Sequence, residues 1–219
     1  VLTAFCTVWL CVCLSIQAQR PDPPMMPSEW KTQWVGNFTY DGCIFSGFMY
    51  YSDPLKQLRT DELFAWNASS LCDKILKGFL FEQDFNVYND GYIYNYALPV
   101  GESTLKCALI DLPYWWAPDY LQNGTYIGDK TVEGIPCYQY QNEDVFIAGS
   151  VITYVSMDKN EIIGMRVEQP PLIIEDYTVI FQSGLKHEPV GPSAFERPPA
   201  NCVAYTESHT KVKRFPFQL

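Results

Sequence analysis

The sequence predicts a mainly β protein, either a curved antiparallel half-barrel or two stacked antiparallel sheets, with few short helices. Three observations carry this. Aromatic residues make up 16% of the chain and charged residues only 18%, a composition that suits a sheet-rich core rather than disorder. Turn signals such as Asn89-Asp90-Gly91 separate runs that alternate at period two. Stretches with helical period are scarce. The 219 residues show no repeat of fixed length and no internal linker, so one domain of successive hairpins is expected over residues 30–205.

Residues 1–18 read as a secretory signal peptide. Val1–Leu14 is apolar apart from Thr3 and Thr7, and Ser15-Ile16-Gln17-Ala18 supplies a small residue before a polar stretch, with the cut after Ala18. The run is shorter than the roughly 20 apolar residues that span a bilayer, which disfavours the alternative of a membrane anchor. No initiator Met or basic region precedes it, so the chain reads as beginning within a longer one. No other stretch suits a span. Residues 19–29 form a Pro-rich leader, expected to be extended or disordered.

The strands follow in order. Trp34–Tyr40 and Ile44–Tyr51 form a hairpin about Asp41-Gly42, and Leu55–Trp66 is a further strand or a short helix. Gly78–Tyr96 is a hairpin whose return strand carries Tyr92, Tyr94 and Tyr96 on one face. Ala108–Gln122 contains Pro113 and Pro118 and reads as a loop with one helical turn. Its Trp115-Trp116 pair either plugs the core or forms a lid over an apolar cavity. Gly124–Gln141 is a strand, a Gly-punctuated turn at Gly128 and Gly134, and a second strand. Val145–Val155 and Ile162–Val167 form a hairpin, and Leu172–Phe181 is the last long strand. A Pro-rich coil leads from Ser183 to Cys202, and residues 206–219 form a basic tail. Lys211-Val212-Lys213-Arg214 in that tail suits either a solvated end or a proprotein-processing site.

Cys43, Cys72, Cys107, Cys137 and Cys202 lie outside the leader region. They have no metal-knuckle spacing, so disulfides are expected in an oxidising compartment. Their odd number leaves one thiol free or bonded to another chain, which allows a homodimer. The favoured pairing is Cys107–Cys137, with Cys72 or Cys43 joined to Cys202. Asn37, Asn67 and Asn123 open N-x-[ST] sequons, which behind a signal peptide imply a secreted or luminal glycoprotein. The formal charge of −10 argues against nucleic-acid partners.

Catalytic signatures are missing. His187 and His209 are the only histidines, and neither lies near a nucleophile motif. There is no HExxH, P-loop or dinucleotide fingerprint. Asp158 and Asn160 start like a calcium loop, but the later Gly and Glu that such a loop needs are lacking. No enzyme activity, cofactor or metal site is expected.

Tyr126, Gly128, Val132, Gly134, Cys137 and Tyr140 compose a Y-x-G-x-x-x-V-x-G-x-x-C-x-x-[WY] pattern. With Tyr50-Tyr51-Ser52-Asp53, Leu58-Arg59 and the closing Phe195, Pro198 and Cys202, this resembles the ependymin-related proteins and the wider LolA/LolB-like group, through scattered residues between Trp34 and Cys202. Tyr140 stands where many relatives have Trp, and Ser52 and Pro54 flank the family's Tyr-Asp position. The resemblance implies a concave sheet around an apolar pocket and secreted or lysosomal proteins that bind lipids, in some members with calcium. The pocket is expected to draw on Phe85, Val87, Tyr92, Tyr94, Tyr96, Trp115, Trp116, Tyr126, Tyr140, Ile147, Val151, Met165, Val167, Tyr177, Val179 and Phe181. The expected function is therefore non-catalytic binding of a lipid or other hydrophobic ligand. The alternative is an extracellular structural or adhesion protein linked through the odd cysteine.

Overall fold

The computed structural model describes residues 22–38, 44–64, 81–89, 91–99, 103–111, 117–144, 149–168, 177–198 and 200–204. They build one twelve-stranded curved sheet: β1 (Glu29–Phe38), β2 (Ile44–Ser52), β3 (Gln57–Phe64), β4 (Phe81–Asn89), β5 (Tyr92–Pro99), β6 (Lys106–Asp111), β7 (Thr125–Val132), β8 (Ile135–Asp144), β9 (Gly149–Ser156), β10 (Ile162–Glu168), β11 (Tyr177–Phe181) and β12 (Val203–Ala204). The order across the sheet is β12-β6-β5-β4-β3-β2-β1-β11-β10-β9-β8-β7. Every pair is antiparallel except β12 with β6. This is the half-barrel expectation; the two-sheet alternative gives way to one continuous sheet. The only helical elements among the described residues are 3-10 turns at Tyr120–Asn123 and Pro192–Phe195. No helix among them is long and apolar enough to cross a membrane.

The hairpins form where the turn chemistry demands them. Between β7 and β8, Glu133 (φ 47°) and Gly134 (φ 80°) are both left-handed, the backbone of a two-residue turn whose twist matches the strands. Gly128 (φ 145°) is a bulge within β7, where the register shifts between Tyr126 and Gly128, and not a turn. Pro136 costs β8 little, because it sits beside the turn and its carbonyl still accepts from Met157 N at 2.9 Å.

One expectation is corrected. The segment expected to be a loop from Ala108 begins as a strand, β6, paired with β5; Pro113 and Pro118 both lie beyond the end of that strand. The single helical turn does appear, at Tyr120–Asn123. The leader is also packed down: Met26 is buried, and its amide donates to Pro118 O at 2.9 Å.

Each strand sends alternate side chains to opposite faces. One face carries Trp30 and Trp34. Trp30 stacks on Tyr51 with ring centroids 5.4 Å apart and tilts against Phe181 at 6.1 Å. Trp34 lies over glycine: a Cβ at Gly36 would fall 2.9 Å from its ring, and one at Gly47 3.0 Å from its Nε1. Met49, Leu58, Tyr88, Ile93, Tyr140, Val151, Val155, Met165, Val167 and Val179 continue this core, and Met26, Leu121 and Leu185 pack onto it. The other face carries Tyr154. A bulge between Ile162 and Gly164 puts Ile162 in the tryptophan core and Ile163 in the Tyr154 cluster. Covered on both faces, β9 is buried from Ser150 to Ser156.

Candidate functional site

The Tyr154 face is divided by the Pro-rich C-terminal segment. This strap leaves β11 and runs across the strands. Gln182 N donates to Gln33 O and Glu188 N to Glu29 O, each at 3.0 Å. Lys31 pairs with Glu188 at 2.6 Å, Arg59 Nη1 donates to Ala194 O at 3.1 Å, and the Arg197 guanidinium lies 4.2 Å from the Tyr94 ring centroid. The strap ends in a disulfide between Cys202 and Cys107. Its prolines keep it from joining the sheet as a strand until the two residues of β12.

The disulfide corrects both favoured pairings, Cys107–Cys137 and Cys72 or Cys43 with Cys202. Eight strands separate β6 from β8 in the sheet, whereas β12 lies beside β6 with Val203 opposite Ala108, so Cys202 and Cys107 have Cα atoms 4.4 Å apart. Cys137 is a free thiol, fully buried under the β7–β8 hairpin, with Sγ donating to Ile135 O at 3.1 Å. Burial pushes its pKa up, so it stays protonated and unreactive at neutral pH. Cys43 and Cys72 lie outside the described residues.

The strap covers the half of this face over β3–β6. There Val87, Tyr96 and Cys107 are buried, with Tyr94, Leu105, Ala200 and Cys202 against them. Burial raises the Tyr96 pKa, which keeps its hydroxyl neutral. Over β1, β11 and β10 the face is left uncovered and holds an open groove of about 750 Å³. Its floor is Val35 of β1, Ile180 of β11 and Ile163 of β10, joined by Ile135 from the start of β8. An adjoining depression of about 350 Å³ shares Val35 and Ile180 and reaches Tyr154, Val132 and Lys130. The sheet curls toward this face at β7: Lys130 Nζ lies 5.4 Å from the centroid of the Tyr154 ring, two strands away. Burial raises the Tyr154 pKa, partly offset by Arg166, so the floor carries no charge.

The rim comes from turns at one end of the strands. Glu133 stands in the β7–β8 turn, Asp158, Lys159 and Glu161 in the β9–β10 connection, and Lys186 at the start of the strap. Among the described residues none of these is in an ion pair, whereas Lys31, Lys56, Arg59 and Arg166 each have a carboxylate partner.

The expected pocket residues do not converge. Val87, Tyr94 and Tyr96 lie under the strap, and Tyr92 is 40% exposed at its margin. Tyr140, Val151, Met165, Val167, Val179 and Phe181 belong to the tryptophan core, with Tyr126 packed edge-on to Tyr140. Phe85 pairs with Tyr96 and Tyr177 with Val167 in the backbone register. Trp115, Trp116 and Ile147 lie outside the described residues. Among the described residues of the set, Phe181 alone also borders the groove. The residues missed are Val35, Ile135, Ile163 and Ile180, whose only sequence signal is β-branched apolar character at alternate positions. Asn123 is exposed beside its 3-10 turn, Asn37 is a strand residue of β1 paired on both sides, and Asn67 is outside the described residues. Among the described residues no three His, Cys, Asp or Glu side chains gather as a metal site.

No protein-family model matches this chain, and no characterised protein matches it in sequence. Similar solved structures include an uncharacterized conserved protein from Thermus thermophilus, with TM-score 0.50 and 11% identity, covering 81% of this chain and 91% of that one. They also include MucB in complex with MucA(peri), with TM-score 0.35 and 11% identity over 78% and 54%. A third is the LolA superfamily protein NE2245 from Nitrosomonas europaea, with TM-score 0.37 and 6% identity over 80% and 93%. The likeness to the Thermus thermophilus protein is one of fold.

Proposed function

We propose that this chain is a secreted or luminal glycoprotein that binds a lipid or another hydrophobic ligand without transforming it. The observation that carries the reading is the uncovered groove on the Tyr154 face. Its volume of about 750 Å³ falls within the roughly 300–1,000 Å³ typical of small-ligand sites. Its floor is branched aliphatic, and each apolar Å² withdrawn from water there contributes about 25 cal/mol. The signal-like leader, the exposed Asn123 sequon and the Cys107–Cys202 disulfide support an oxidising compartment. The resemblance to the ependymin-related proteins adds the lysosomal lumen as a second location and calcium as an accessory ion. The adhesion alternative draws no support from Cys137, which is buried beneath its own hairpin and out of reach of a second chain.

The test is organic-solvent extraction of purified protein with lipid analysis, alongside titration with a fluorescent fatty acid. Co-purified lipid and saturable binding, weakened by Ile135→Asp at the exposed edge of the floor, are expected. Delipidated protein that binds none of the probe would overturn the reading.

A further inference from the structure

The geometry points to a single-chain amphiphile with a zwitterionic head, of the alkylphosphocholine class, as the ligand of the Tyr154-face groove. This inference rests on the hydrophobic-ligand reading and narrows it.

The floor excludes an extended peptide. Val35, Ile180 and Ile163 sit on β1, β11 and β10, each paired on both sides. The main-chain groups of Val35 and Ile180 are committed to the ladder, Ile163 being the bulge residue of β10, and a peptide laid across a sheet face rather than along an edge would find few partners for its own amides. Burying an unpaired amide costs on the order of 1–3 kcal/mol. An alkyl chain brings no such groups and needs only the aliphatic surface. The groove is open to solvent, so the ligand remains partly in water and must carry a polar part. Its volume suits one chain and a head group rather than two long chains.

The rim selects the head. Lys130, Lys159 and Lys186 line the two adjoining depressions together with Glu133, Asp158 and Glu161, three charges of each sign. They are interleaved: Asp158, Lys159 and Glu161 belong to one turn. None is in an ion pair among the described residues. An anionic head would meet the lysines and be repelled by the carboxylates, and a cationic head would meet the reverse. A head with both signs uses both sets. Two or three rim contacts, each worth about 0.2–1 kcal/mol, give a preference of about tenfold.

The experiment titrates the full chain by calorimetry with n-dodecylphosphocholine, dodecyl phosphate and dodecyltrimethylammonium, each below its micelle concentration. The phosphocholine form is expected to bind about tenfold more tightly than either single-sign analogue. The pair Lys159→Ala and Lys186→Ala should shift preference toward the cationic probe, and Asp158→Asn with Glu161→Gln toward the anionic one. Ile135→Asp should weaken all three. Equal affinity for the three probes, or a preference unmoved by the charge variants, overturns the head-group assignment while leaving hydrophobic binding intact. Binding untouched by Ile135→Asp overturns the location. No binding of any probe overturns this inference and the reading beneath it together.

Discussion

Replacing Gly47 with Ala tests whether Trp34 truly owes its place to the glycine beneath it. Gly47 sits on β2 opposite Trp34. A Cβ there would stand 1.8 Å from the carbonyl oxygen of Asp61 on β3 and 3.0 Å from Trp34 Nε1. The first contact is with backbone, so no side-chain rotation relieves it: β2 and β3 must move apart by roughly 1 Å or more, stretching the ladder between Phe45 and Ser52. Trp34, fully buried, must tilt as well. Overpacking of this kind costs about 1–3 kcal/mol, and with backbone on one side and an indole on the other the upper end, about 3 kcal/mol, is expected. The assay is urea unfolding followed by tryptophan fluorescence. With a slope of about 2 kcal/mol per M, the midpoint should fall by about 1.5 M. Gly134→Ala is the control. Nothing lies within 4 Å of a Cβ there, but φ is +80°, so only left-handed strain of about 1–2 kcal/mol is expected. A Gly47→Ala protein that unfolds within about 0.5 M of wild type, or later than Gly134→Ala, would refute the account of the tryptophan core.

Other outcomes follow from the same contacts. The double variant Cys107→Ser, Cys202→Ser releases a closure of 95 residues and should lower stability by roughly 4.7 kcal/mol on the chain-entropy account; it should also raise apolar-dye binding as the Val87–Tyr96 surface is uncovered. Thiol trapping with mass spectrometry should find Cys137 unlabelled in the native protein and labelled in urea. Burial holds the Cys137 pKa above its unfolded value, so the folded chain keeps a proton that the unfolded chain releases near about pH 8.5. Stability is then full below that pH and falls as pH rises through the alkaline range; Cys137→Ala, though less stable overall, should flatten the slope between about pH 8 and 10. Peptide mapping after expression in a secretory host should find glycan on Asn123, whose exposure admits it without disturbing the sheet, and Asn123→Gln should fold normally.

The local chemistry of the hairpins was legible because it is written in adjacent residues. Gly91 takes φ 82° between β4 and β5, and Glu133-Gly134 close β7 onto β8. Period two correctly placed Tyr92, Tyr94 and Tyr96 together on one face. It could not say what would cover that face. The cover is a Pro-rich strap far along the chain, and its contacts with Arg59 and Tyr94 have no local signature. The same blindness misassigned the cysteines: Cys137 is nearer to Cys107 in sequence, but strand order decides proximity in space, and β12 is too short to announce itself. The groove has no sequence signature for a related reason. Aromatic density marks the tyrosines and tryptophans, but Tyr140 packs in the core and Tyr94 and Tyr96 lie under the strap, whereas the groove is floored by scattered Val and Ile whose exposure depends on where the strap stops.

That stopping place is itself set by chain chemistry. Gly184, at φ +68°, turns the backbone after β11, and Leu185 tucks into the tryptophan core. The strap is thereby sent toward β1 and β3 rather than back over β10 and β9. Polar links such as Lys31–Glu188 contribute little singly; the buried Phe195 and the disulfide at the far end fix the course. One face thus carries two apolar surfaces with different fates. Over β4–β6 the chain supplies its own cover, and the tyrosines there are structural. Over β1, β10 and β11 it supplies none, and the aliphatic floor stays open between charged turns. Removing the disulfide should therefore expose a new apolar surface without altering the groove, which separates the part of this face that serves folding from the part left free to bind.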